Sequence, residues 1–344
     1  MAGAVDIEGV TREWLTDALG VEVRAVNAQA VGSGQTGASY RLTLDVDGAP
    51  STMIAKVAAG DEAARGTVAA GYRNEVNFYA HLLSTVDVRT PQCWYTAISD
   101  DGRCFTLLLE DLAPRVAGVQ VEGCTTPRAE AAARNLAGLH APRWSDPALL
   151  DLDFVNGPTA EVAAFVGGLA VSATEVFVDR YGGDLASDDV ATLRASAAAT
   201  ADWLVARPEP FAIIHGDYRL DNLMFGVAHD DVVAVDWQTL AIGPPTRDLA
   251  YFLGTSVTED VRRTIEEAVV AAYHADVVTR GVAGYGLDQC FEDYRLGHLQ
   301  GPLITTLGAA YATAPRSEAA DQMFLAMARR SCAAVRDLGS LDLL

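Results

Sequence analysis

Basic residues are scarce in this chain. Against 46 Asp and Glu it carries only 25 Lys and Arg, so its formal net charge is −21 over 344 residues. Phosphate backbones demand a basic footprint, so nucleic acid is not an expected partner, whereas the acidity could attract a cationic small molecule or only reflect a solvated surface. Cysteine is also sparse. Cys93, Cys104, Cys124, Cys290 and Cys332 are odd in number, scattered and without a C-x-x-C pair. That argues against a disulfide framework and a structural zinc site, and it suits a reducing cytoplasm. Long apolar runs are missing too. The longest, between Glu161 and Glu175, contains Gly167-Gly168 and is too short to cross a bilayer, so it reads as a buried helix and no membrane partner is expected. The opening stretch, MAGAVDIEGVTREW, is acidic and lacks the apolar core of a signal peptide. No repeat or low-complexity linker interrupts the chain.

What remains is an ordinary globular mixture, half apolar and one-fifth charged, long enough for two lobes with separate cores. Residues 9–20 have the spacing of a short helix. ASYRLTLDV then alternates, with Tyr40, Leu42, Leu44 and Val46 on one side, as a half-buried strand does. Asp47-Gly48 signals a hairpin turn into a second strand, TMIAKV. Helical spacing returns over 71–83, and CFTLLLEDL (104–112) reads as a further strand that ends at Pro114. Beyond Thr126 the texture is helical, except for short strands within 211–238. The expected architecture is therefore α+β: a small antiparallel-sheet lobe over 1–113, then a larger, mainly helical lobe over 114–344.

GSGQTG places Gly32, Ser33, Gly34, Gln35, Thr36 and Gly37 in a G-x-G-x-x-G pattern. In a dinucleotide-binding unit this loop leads into a helix whose N-terminus holds a pyrophosphate. Here a strand, a turn and another strand follow, which is the context of the glycine-rich flap that kinases fold over nucleotide phosphates. A dinucleotide oxidoreductase is excluded on that feature. Lys56 lies among apolar neighbours in the second hairpin strand, where it either snorkels to the surface or meets an anion. Glu75, in the following helix, could turn toward it, and the pair could then hold the α- and β-phosphates.

HGDYRLDNLMF (215–225) gathers Asp217, Asp221 and Asn222 in a few residues, and VVAVDWQ (232–238) sets Asp236 in an apolar strand. Carboxylates in such surroundings need partners, and a metal with an anion behind it would supply them. These two segments resemble the catalytic loop and metal-binding strand of the aminoglycoside phosphotransferase family, with its choline-kinase-like and ecdysteroid-kinase-like branches. The resemblance takes in the glycine loop, Lys56, Glu75 and the segment near 110–114 as well. It implies a bilobal protein-kinase-like fold that transfers the γ-phosphate of ATP, with Mg²⁺, to a hydroxyl of a small molecule. By the resemblance Asp217 accepts the proton of the attacking hydroxyl, Asn222 and Asp236 hold magnesium, and His215 is a scaffold residue. Arg219 either reaches the γ-phosphate or makes a surface salt bridge, and Asp221 turns the loop or faces solvent. Backbone groups from Glu110 to Leu112 are placed to meet an adenine edge.

The sequence departs from protein kinases in having Trp237-Gln238 after Asp236 and no long segment before GPPTRDLAYFLG (243–254). Both departures favour a small-molecule acceptor. Thr246 is placed as an N-cap of that helix. Asp248 either braces the catalytic loop or complements the helix dipole. Asp293, Arg295 and His298 on a late helix could roof the acceptor, or be an ordinary exposed face. His140 reads as a C-terminal helix residue. The rival of another class is a kinase-like scaffold that binds nucleotide and has lost its chemistry. Its mark would be a missing Lys56, Asp217, Asn222 or Asp236, and all four are present.

Overall fold

The computed structural model describes residues 6–32, 37–155, 157, 159–228, 231–312 and 316–344. Their contacts divide the chain into two units. The first takes the described residues of 1–84, 90–114 and 235–240, and the second takes 85–89, 115–234 and 241–344. Neither unit is therefore one contiguous stretch, and the segment carrying Asp236 belongs to the first.

The first unit is a five-stranded antiparallel sheet of order β1-β2-β3-β5-β4, built from β1 (Val23–Val31), β2 (Gly37–Val46), β3 (Thr52–Ala58), β4 (Cys93–Ile98) and β5 (Phe105–Glu110). Alternation in β2 sends Leu42 and Leu44 into a core with Met53, Ala55, Val57 and Leu108, which α1 (Arg12–Leu19) closes with Leu15. The β2–β3 hairpin turns through Gly48 at φ +86°, a conformation glycine reaches without steric cost. Strand β4 has no counterpart in the sequence reading. Its residues are half-buried apart from the exposed Trp94, so CWYTAI shows no sharp alternation.

The helix expected over 71–83 begins earlier. It runs as α2 (Glu62–Asn77) from Asp61, whose carboxylate accepts the Ala64 N–H, and passes into a π-helical turn over Phe78–Leu82. Its first turns are mostly exposed and so carry no apolar stripe to read.

The second unit is mainly helical: α3 (Thr126–His140), α4 (Ala160–Tyr181), α5 (Ser187–Ala206), α6 (Thr246–Ser256), α7 (Glu259–Thr279), α8 (Leu287–Gly297), α9 (Gln300–Tyr311) and α10 (Glu318–Leu338). Among the described residues five short strands accompany them: β6 (Val116–Ala117), β7 (Ala212–Ile214), β8 (Leu223–Phe225), β9 (Val232–Ala234) and β10 (Ala241–Gly243). They form the sheets β6-β8-β9 and β10-β7, from which the loops bearing the polar motifs emerge.

Three sequence expectations fail here. The apolar run after Glu161 becomes a 22-residue helix, long and apolar enough by composition to cross a membrane, yet only a third of that window is buried. Val162, Phe165, Val171 and Val176 are exposed on it, because α5 and α9 cover one side only. Thr246 is not a cap. It is the first helical residue, and its buried hydroxyl has no partner. Finally, β9 stops at Ala234, so Asp236 lies beyond the strand at φ +69°.

Candidate active site

In the first unit the polar centre is Lys56. Its strand is paired on both sides, with Ser39 of β2 and Leu107 of β5 as register partners. The lysine is 8% exposed, so its ammonium must find charge inside the protein. It does not snorkel. Nζ lies 2.7 Å and 2.8 Å from the two carboxylate oxygens of Glu75 and 3.1 Å from Asp236 Oδ1. Burial works against the lysine's charge, but the two carboxylates outweigh it and raise its pKa above the usual value. Glu75 is wholly buried, and burial pushes its carboxyl up despite the ammonium beside it. Gln238 Nε2 also donates to it, at 3.2 Å.

The segment carrying Asp236 is fastened to α2. Asn74 Nδ2 donates to the carbonyls of Gln238 and Leu240, and Trp237 stacks on Phe78 at 3.6 Å with its Nε1 donating to Thr90. A Cβ at Gly71 would lie 3.3 Å from that of Gln238, so glycine permits the close approach. These contacts hold Asp236 in the left-handed region, which Asp tolerates better than most residues. Its carboxylate is 40% exposed, so it is not the buried acid that the sequence suggests. Of the glycine loop, Gly32 stands at φ +75°, and Gly37 opens β2 with a virtual Cβ only 3.4 Å from Lys56 Cε. Ser33, Gly34, Gln35 and Thr36 lie outside the described residues. Glu110 closes β5, and its N–H donates to the Gln92 carbonyl. Leu112 is buried just beyond it.

In the second unit the loop after β7 is held from several directions. The N–H groups of His215 and Gly216 donate to the Asp248 carboxylate at 2.6 Å and 2.9 Å, so Asp248 braces this loop. His140, the last residue of α3, hydrogen-bonds Tyr273 and reaches the same carboxylate. Gln300 donates to the Gly216 carbonyl, and His215 Nδ1 accepts the Asp217 N–H, which is a scaffold contact. Gln120 works on both ends of the following turn. It accepts the Leu220 N–H at Oε1 and sends its own N–H to Asp221.

Asp217 carries three donors: Tyr251 Oη at 2.7 Å, Asn222 Nδ2 at 3.0 Å and Arg219 Nε at 3.2 Å. Asn222 Nδ2 also donates to the Asp217 carbonyl at 2.8 Å, so both of its bonds to Asp217 use the amide nitrogen and neither uses the amide oxygen. Arg219 bridges Asp217 and Asp221 and touches Met323 Sδ. Burial opposes its charge, but the flanking acids outweigh that and push its pKa up. Asp293, Arg295 and His298 make no common face. Asp293 accepts from Tyr285, Arg295 donates to the Leu338 carbonyl, and His298 is buried with neither ring nitrogen bonded.

Among the described residues no three His, Cys, Asp or Glu come together as a metal cluster. Magnesium does not require one, since it commonly takes one or two protein oxygens and completes its shell with phosphates and water. In the first unit the Asp236 carboxylate, and in the second the Asn222 amide oxygen, are each a hard oxygen of the kind such a metal takes.

The sequence over residues 27–285 matches the model of the phosphotransferase enzyme family. The chain belongs to the phosphotransferase enzyme family. Among solved structures this chain is similar to a Ralstonia eutropha JMP134 protein assigned as an aminoglycoside phosphotransferase. The TM-score is 0.57 at 18% identity, over 96% of this chain and 98% of that one. The choline kinase of Cryptosporidium parvum Iowa II gives 0.54 at 10% identity, over 93% and 91%. The GDP complex of aminoglycoside 2'-phosphotransferase-IIIa gives 0.55 at 14%, over 90% and 93%. At such identities the likeness is one of fold, and it is the α+β protein-kinase-like fold. Curated relatives match only briefly. Acyl-CoA dehydrogenase family member 10 of Mus musculus is 42% identical over 53 residues, and member 11 of Homo sapiens is 51% identical over 41. The chain spans 5% of the length of each.

Proposed function

We propose that this phosphotransferase is a small-molecule kinase that moves the γ-phosphoryl group of ATP to an alcohol. The observation that carries this reading is the buried Lys56 held between Glu75 and Asp236. A cation so expensively placed is suited to neutralising the α- and β-phosphates, and Glu75 keeps it charged and aimed. The alcohol oxygen attacks Pγ, the bond from Pγ to the ADP oxygen breaks, and Asp217 accepts the hydroxyl proton. Arg219 is the cation of the same loop and is suited to bind the γ-phosphoryl oxygens. Asn222 and Asp236 would hold Mg²⁺, whose role is to neutralise phosphate charge. Backbone groups from Glu110 to Leu112 are suited by position to meet the adenine edge, although the Glu110 N–H is already spent on Gln92.

The acceptor is a neutral or cationic alcohol in this reading, because a net charge of −21 disfavours anions. The unpaired cysteines suit a reducing compartment such as the cytoplasm. Two variants test the assignments. Asp217→Ala should abolish ADP formation while leaving Mg·ATP affinity within about threefold, because the base acts on the acceptor hydroxyl. Asp236→Ala should weaken magnesium-dependent nucleotide binding on the order of tenfold or more, and unchanged calorimetric affinity would remove it from the metal role.

A further inference from the structure

We propose that Tyr251 is a positioning residue for Asp217, fixing the carboxylate that receives the hydroxyl proton. This rests on the base role given to Asp217 above. The geometry begins with α6, which reaches the loop at two levels. Asp248 in its first turn holds the backbone N–H groups of His215 and Gly216, and Tyr251, three residues on, lies on the same helix face. Tyr251 is wholly buried, so it cannot touch a substrate, and the acceptor of its hydroxyl is Asp217 Oδ1 at 2.7 Å. Burial, with Asp217 beside it, drives the phenol far above its ordinary pKa, so it stays a donor throughout the working range.

The other two donors on Asp217 are less suited to the task. Asn222 and Arg219 belong to the same loop as Asp217, so their bonds tie the carboxylate to no other element, and each has a second function in the proposed reaction. Tyr251 is the donor that ties the carboxylate to a buried helix of the fold. With it, Oδ1 is anchored to α6, while Asn222 holds Oδ2 and Arg219 Nε stands 3.2 Å from both oxygens. Without it, the carboxylate can turn about its Cβ–Cγ bond, and phosphoryl transfer depends steeply on such alignment.

The test is Tyr251→Phe, which removes one oxygen and keeps the ring. Turnover is read as ADP release from Mg·ATP with water as acceptor, normalised to the number of nucleotide sites found by ADP calorimetry. The expected result is a fall on the order of ten- to a hundredfold in rate per site, with the dissociation constant for ADP unchanged. In an Asp217→Asn background the same change should have no further effect, because a residue acting through Asp217 has nothing left to position. Turnover per site within about twofold of the parent overturns the proposal, as does an effect that persists in the Asp217→Asn background.

A second readout needs neither turnover nor the phenylalanine variant. With 3-fluorotyrosine at position 251 alone, the ¹⁹F resonance should move when Asp217 becomes Asn, and a resonance indifferent to that change overturns the hydrogen bond itself. If Asp217→Asn leaves turnover intact, the base assignment is what fails. If it abolishes turnover while Tyr251→Phe does not lower it, only the positioning role fails.

Discussion

Removing Glu75 tests whether the buried ion pair is the support the account makes it. Glu75 is fully buried, both its carboxylate oxygens lie on Lys56 Nζ at 2.7–2.8 Å, and Lys56 itself is 8% exposed. Breaking a buried pair by deleting one partner ordinarily costs about 3–5 kcal/mol, because the remaining charge is left without compensation. Here Asp236 stays 3.1 Å from the ammonium, and its 40% exposure lets water share the charge. The expected cost of Glu75→Ala is therefore lower, about 2–4 kcal/mol. Urea unfolding at pH 7 would measure it, read by tryptophan fluorescence, since Trp14, Trp94 and Trp237 lie in the same unit.

The complementary double change, Lys56→Met with Glu75→Leu, replaces the pair by apolar groups of similar size. It should return stability to within about 1 kcal/mol of the parent while nucleotide affinity falls on the order of tenfold or more. Stability and binding would then separate, as they should if the pair is kept for its ligand. A Glu75→Ala cost below about 1 kcal/mol, or a double variant as unstable as the single one, would refute the reasoning.

Other expectations follow from packing and titration. A Cβ at Gly297 would stand 2.9 Å from Ala250 Cβ and 3.0 Å from the Thr246 carbonyl. Gly297→Ala should accordingly push α8 off α6 and cost about 1–3 kcal/mol in urea unfolding. Asp337 sits between Arg262 and Arg263, and although partial burial raises its carboxyl, the two guanidiniums outweigh that and hold it below the usual range. A lowered folded-state pKa contributes stability above the unfolded value of about 3.9 and loses it as pH falls through the folded value. Asp337→Asn should thus show a shallower loss of stability than the parent between about pH 4 and pH 2, measured as melting temperature against pH.

Much of the fold could be read because its signals are local. The alternation of β2, the turn at Asp47-Gly48 and the apolar flanks of Lys56 are each set within a few residues, and the structure contains the hairpin and the Lys56–Glu75 pair they suggest. The loop from His215 to Asn222 was legible for the same reason, since its acids are sequence neighbours. What escaped depends on distant partners or on solvent. The start of α2 and strand β4 are too exposed to show periodicity. The outer side of α4 is apolar without being covered, so composition pointed inward where packing does not. Asp236 looked like a strand residue because VVAV precedes it. Its left-handed backbone is imposed by Asn74 and Phe78, more than 150 residues upstream. Tyr251 reads as one more core aromatic in DLAYFLG, and only folding brings its hydroxyl to Asp217, 34 residues away.

The central claim is transfer of a phosphoryl group from ATP to an alcohol. Its most direct test is ADP release from Mg·ATP against a panel of amino sugars, nucleosides, sterols and choline, with mass spectrometry of the acceptor. The account predicts one acceptor class that both accelerates ADP release and gains a single phosphoryl group, with both signals lost in Asp217→Ala. Neither signal with any acceptor, together with no stabilisation of the protein by Mg·ATP, would contradict it and favour a kinase-like scaffold.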